Sequence, residues 1–178
     1  MTARHAGSGD GPGALAQAEA ESDAATAIRL LVQQGRTVGT AESLTGGLIA
    51  ASLTSVPGAS AVFLGGIVAY SAELKMSLLG VPGPLIDRAG TVDRDVALAM
   101  ARGARQRLGV QFAIAVTGVA GPDPVGAQPA GTVHVAVSSQ DQQWHRPLRL
   151  AGDRTRVRDD TVAYALRLLI SALLEGNP

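Results

Sequence analysis

Three short segments bring together a hydroxyl, an amine and exposed backbone amides, the ingredients of nucleophilic attack on a carbonyl. In Thr40-Ala41-Glu42-Ser43-Leu44-Thr45-Gly46-Gly47 a short strand-like run leads into a glycine pair and then a helix-forming stretch, which puts the Ser43 hydroxyl beside unpaired N–H groups at a helix start. Those donors and the positive end of the helix dipole can stabilise a developing oxyanion or hold a phosphate, and Gly46 and Gly47 let backbone approach a ligand closely. Ser43 or Thr45 suits a plain N-cap equally well. Tyr70-Ser71-Ala72-Glu73-Leu74-Lys75 is a second strand end running into a helix. Lys75 can act as a general base only where burial or a neighbouring cation depresses its pKa; otherwise it is a solvated surface lysine. The third segment, Ala115-Val116-Thr117-Gly118-Val119-Ala120-Gly121-Pro122, offers the Thr117 hydroxyl and the amides of Gly118 and Gly121, and reads as well as a turn.

The surrounding periodicity supplies elements that would hold these segments. A helix is expected from about Ala14 to Gln34, then a strand at Thr37–Ala41 and a helix over Leu48–Leu53. Val62–Tyr70 reads as a buried strand and Ala72–Leu79 as a short helix ended by Gly80. Asp93 as N-cap and Gly109 just past the end bound a helix with Val96, Ala97, Met100, Ala104 and Leu108 on one face. Phe112–Val116 is an apolar strand, and Ala120–Ala130, rich in proline and glycine, is a loop. Gly131–Ser138 and Gln143–Leu150 pair as a hairpin, with Pro147 pointing to a sheet edge, and Thr155–Leu174 closes the chain as a helix. Strand-helix units followed by a hairpin and a helix predict an α/β fold: a single-domain three-layer sandwich with a mixed sheet flanked by helices.

Composition narrows the function classes. The 178 residues, 46% of them hydrophobic, suffice for one domain, expected at 14–178 behind a disordered tail at 1–13 that is too rich in glycine and polar residues to offset its ordering entropy. Fifteen basic side chains balance fifteen acidic ones and the arginines are scattered, which argues against a nucleic-acid partner. No apolar run approaches the ~20 residues needed to span a bilayer and no leader pattern opens the chain, so a cytoplasmic protein without a membrane partner is expected. The absence of cysteine removes thiolate nucleophiles, thiolate metal sites and disulfides. His5 falls in the tail, His145 at an exposed strand start and His134 in an alternating strand, and no cluster has metal-ligand spacing, so neither metal nor cofactor is expected. Trp144 reads as hairpin or interface packing.

Taken together, TAESLTGG at 40–47, VPGAS at 56–60, GGIVAYS at 65–71 with Lys75 and LLGV at 78–81, VTGVAGP at 116–122 and GTVHVAV at 131–137 resemble the CinA C-terminal domain family. The resemblance spans roughly Ala24 to Leu174, and the members of that family include nicotinamide-nucleotide amidohydrolases. It implies Ser43 as nucleophile, Lys75 as its proton acceptor, Tyr70 and Thr117 as polar partners, and Arg154 as a phosphate ligand. It further implies that Thr45, Gly46, Gly47, Gly118 and Gly121 surround a small nucleotide substrate, in a homo-oligomer, with activity residing in this domain alone. Ala72 stands where the family usually has asparagine, and the loop 123–130 lacks the common glycine-rich form. The implied reaction converts nicotinamide mononucleotide to nicotinic acid mononucleotide and ammonia. An amidase for another small amide, and a non-catalytic nucleotide- or partner-binding module, are the alternatives; Ser43 and Lys75 together favour catalysis.

Overall fold

The computed structural model describes residues 21–175, so the expected tail and the expected helical turns at 14–20 lie outside the described residues. Helix α1 runs over Asp23–Gln34: the Ser22 hydroxyl accepts the Ala25 amide at 3.2 Å and Gly35 closes the helix in the left-handed conformation. The cap therefore starts this helix at Asp23, later than composition suggests. There follow β1 (Val38–Glu42), α2 (Leu48–Thr54), a 3-10 turn (Ala59–Ala61), β2 (Phe63–Val68), α3 (Ala72–Leu79), α4 (Gly83–Ala89) and α5 (Arg94–Leu108). The chain continues through β3 (Phe112–Gly118), β4 (Thr132–Ser138), β5 (Gln143–Arg149) and α6 (Arg154–Glu175). Helix α4 was not expected; Pro84 in its first turn and Gly90 beyond its end are the signals that mark it.

The five strands form one mixed sheet in the order β2-β1-β3-β4-β5, with β1 parallel to β2 and β3, and β4 antiparallel to β3 and β5. Pro147 lies on β5, an edge strand, where its missing N–H is harmless. Strand β2 is the other edge, and the expectation of a buried strand is corrected: its residues alternate between half-buried and exposed, with Leu64 and Val68 on the face left open to solvent.

Side-chain alternation divides the core into two layers. Phe112, Ile114 and Val116 of β3 and Val133, Val135 and Val137 of β4 pack with α1, α2 and α6. Ala113, Ala115 and Ala136 face α3 and α5, where small side chains let the helices approach closely. At Gly103 of α5 an added Cβ would lie 1.8 Å from the Leu79 carbonyl oxygen, so only glycine permits that contact. Fully buried leucines such as Leu31, Leu169 and Leu173 each contribute roughly 1.5–3 kcal/mol to this frame. The result for function is positional: β1, β2 and β3 run parallel, so the segments after Glu42, Val68 and Gly118 emerge side by side at the carboxyl end of the sheet, the usual ligand position in such folds.

Candidate active site

Ser43 directly follows β1 and is held there by its amide, which donates to the Val116 carbonyl at 3.2 Å. It does not cap α2. Its Oγ instead lies 3.0 Å from Lys75 Nζ, which α3 projects back toward the sheet. Lys75 is the only lysine of the chain and is 1% exposed. Its nitrogen is also 2.8 Å from the Ala69 carbonyl and 3.1 Å from the Tyr70 carbonyl. Burial pushes its pKa down to about 8. A neutral amine in this nest donates its two protons to the carbonyls and aims its lone pair at the Ser43 hydroxyl, the arrangement required of a general base.

The turn carrying Ser43 is braced from two sides. Glu42, 1% exposed, folds its carboxylate against the start of α2, where Oε2 accepts the amides of Gly47 at 2.9 Å and Ile49 at 3.1 Å and Oε1 accepts that of Ala50 at 2.8 Å. From the other side, Arg158 of α6 donates from Nε to the Leu44 carbonyl at 3.0 Å and from Nη2 to the Thr45 carbonyl at 2.9 Å. Neither residue was singled out from the sequence, although Arg158 follows Arg154 by one helical turn and so shares its face.

An open cleft of about 200 Å³ lies over the pair, lined by Ser43, Leu44, Tyr70, Lys75, Thr91, Thr117, Gly118, Gly121, Asp123 and Arg154 among others. Six of the residues expected at a site are thus on its wall together with Lys75. Thr45, Gly46 and Gly47 are not: Gly46 donates to the Ser43 carbonyl at 3.1 Å, Gly47 donates to Glu42, and the Thr45 hydroxyl is buried behind the turn without a partner. The expectation that amides at the glycine pair meet a ligand is corrected accordingly. Thr117 donates its hydroxyl proton to the Thr91 carbonyl at 2.6 Å, so toward the cleft it acts as an acceptor. Tyr70, 60% exposed at the rim, accepts from Arg154 Nη2 at 3.1 Å through its phenolic oxygen. Arg154 also donates to the Gly121 carbonyl at 3.1 Å and has no carboxylate partner among the described residues. Ala72 opens α3, whose N-cap is Ser71, and does not line the cleft.

The remaining candidates lie elsewhere. His134 Nδ1 is 3.0 Å from His145 Nε2 in a stacked pair between β4 and β5, with burial lowering both pKa values; His145 is the third residue of β5, near the strand start as expected but half-buried, not exposed. His5 is outside the described residues. Trp144 packs on Phe112 with ring centroids 6.4 Å apart and donates to Glu175 at 2.7 Å. Among the described residues no three His, Asp or Glu side chains are grouped to hold a metal, and no helix is long and apolar enough to cross a membrane.

Comparison with known proteins shows the family. The family model of the CinA C-terminal domain matches residues 20–173. The chain belongs to that family. Similar members include a CinA-like protein of Frankia casuarinae, 49% identical over 84% of this chain and 34% of its own length. A CinA-like protein of Geotalea daltonii is 47% identical over 82% of the chain and 35% of its own length. The chain thus spans about a third of the curated relatives it matches. Among solved structures, the competence/damage inducible protein CihA of Agrobacterium tumefaciens is 40% identical with a TM-score of 0.79, covering 86% of this chain and 97% of that one. A CinA superfamily protein of Klebsiella pneumoniae is 30% identical with a TM-score of 0.84, covering 86% and 96%. The α/β sandwich is therefore the CinA-family fold.

Proposed function

We propose that this chain hydrolyses the carboxamide of nicotinamide mononucleotide, releasing ammonia and nicotinic acid mononucleotide, as a step in pyridine nucleotide recycling. The observation that carries this reading is the 3.0 Å contact between Ser43 Oγ and a buried Lys75 whose pKa is drawn down to about 8. A structural lysine would keep its charge and a carboxylate; this one has no carboxylate partner among the described residues and faces a hydroxyl and two carbonyls.

In the proposed mechanism Ser43 Oγ bonds to the carboxamide carbon as its proton passes to Lys75 Nζ. The carbonyl oxygen becomes an oxyanion, and the role of stabilising it is assigned to the amide of Leu44, a residue of the cleft wall whose N–H donates to no acceptor among the described residues. Breaking the carbon–nitrogen bond transfers the Lys75 proton to the departing amine, which leaves as ammonia. Water then attacks the ester on Ser43, its proton goes to Lys75, and that proton returns to Ser43 Oγ as the acid departs. Thr117, an acceptor toward the cleft, suits the carboxamide N–H groups, while Arg154 and the Tyr70 hydroxyl at the rim suit the phosphate.

Incubation of the purified protein with nicotinamide mononucleotide, with ammonia and nicotinic acid mononucleotide both quantified, tests the proposal. Equimolar appearance of the two products supports it. A folded protein that yields neither rules out this substrate.

A further inference from the structure

Arg158 is joined to the Leu44 amide by a continuous series of peptide groups. Its Nη2 donates to the Thr45 carbonyl at 2.9 Å. That carbonyl shares a peptide plane with the Gly46 N–H, which donates to the Ser43 carbonyl at 3.1 Å. The Ser43 carbonyl in turn shares its plane with the Leu44 N–H, which in this trans peptide points the opposite way, has no acceptor among the described residues and belongs to a residue of the cleft wall. A positive charge at the head of such a series polarises each peptide in the same sense, and hydrogen bonds in series strengthen one another by about 10–30% per bond. The second bond of Arg158, from Nε to the Leu44 carbonyl at 3.0 Å, fixes the rotation of the intervening peptide. No carboxylate neutralises the guanidinium among the described residues.

We propose that Arg158 is the positioning residue of the oxyanion site: through Thr45, Gly46 and Ser43 it orients and polarises the Leu44 amide without touching substrate. This inference rests on Ser43 acting as nucleophile. It also accounts for the division of labour on α6, whose first turn presents Arg154 at the cleft rim while Arg158, one turn further along, grips the back of the nucleophile turn.

The test uses pyridine-3-boronic acid, whose boron accepts a bond from Ser43 Oγ as the hydroxyl proton moves to Lys75, giving a tetrahedral anion with an oxygen where the oxyanion would sit. Nicotinic acid mononucleotide serves as the ground-state comparison. Arg158→Met is expected to weaken boronate binding and lower kcat on nicotinamide mononucleotide by roughly 10- to 100-fold, below the 10²–10³ that loss of a whole oxyanion donor costs. KM and affinity for nicotinic acid mononucleotide should change by less than about twofold, since transition-state interactions leave ground-state binding alone. Arg158→Lys, which keeps the charge and most of the stem but can grip fewer carbonyls, should fall between, and it serves if the methionine variant does not fold. Boronate affinity unchanged in both folded variants, or lost in equal proportion to product affinity, overturns the inference while leaving the nucleophile intact. A wild type that forms no boronate adduct overturns the role of Ser43 and this inference with it.

Discussion

The Gly47 amide donates to the Glu42 carboxylate across 2.9 Å, so the residue just before Ser43 occupies the anion site that the glycine pair creates. The amides of Gly47, Ile49 and Ala50 at the start of α2 are thereby taken, so under the proposed function the phosphate falls to Arg154 at the rim. The same carboxylate ties β1 to α2 and sets the path of the turn between them. Glu42→Gln puts an amide NH₂ against backbone donors, and leaving buried groups unsatisfied costs roughly 1–3 kcal/mol each. Urea unfolding should show a loss of at least that size; an unchanged midpoint would mean that the carboxylate is dispensable.

Because Lys75 is the sole lysine, protein labelled with ¹³C at the lysine ε-carbon reports one side chain. Its resonance should titrate with a midpoint near 8, in place of the ordinary 10.5. The activity limb follows in sign: the base must be neutral, so kcat/KM should climb as pH rises through about 8 and then level off. Stability moves the same way, since the unfolded chain holds this proton up to the ordinary lysine range and the folded chain releases it earlier, so unfolding free energy gains from Lys75 as pH rises above about 8. Lys75→Arg should be inactive at every pH, because guanidinium does not deprotonate. A midpoint near 10.5 would remove Lys75 as the base.

For Arg154 the expected signature is selectivity. If it holds the phosphate, the mononucleotide should exceed the riboside in kcat/KM by at least ~10-fold, as a charge-assisted hydrogen bond contributes roughly 1.5–3 kcal/mol and 1.4 kcal/mol is a decade. Arg154→Ala should erase most of that advantage and leave the riboside nearly untouched. Equal cleavage of both substrates by the wild type would reassign Arg154 to bracing Tyr70 and Gly121.

Much of this fold was legible because its signals are local. Asp93 and Gly109 bound α5, and Pro147 marks an edge strand, all by backbone chemistry that operates within a few residues. What escaped depends on tertiary placement. Nothing in the spacing of Ser43 and Lys75 shows that two βα units bring them to 3.0 Å, and the family resemblance supplied that pairing. Glu42 and Arg158 were missed because a carboxylate after a strand and an arginine on a helix are ordinary until the turn between them is seen in three dimensions.

Comparing Ser43→Ala with the wild type tests most directly whether the oxygen of Ser43 makes the bond to the carboxamide carbon. Ammonia release from nicotinamide mononucleotide should fall to the buffer rate in the alanine variant. Its thermal midpoint should stay within a few degrees of the wild type, because the change removes one hydroxyl from a cleft wall and leaves the core alone. A folded Ser43→Ala protein that releases ammonia at the wild-type rate would contradict the mechanism.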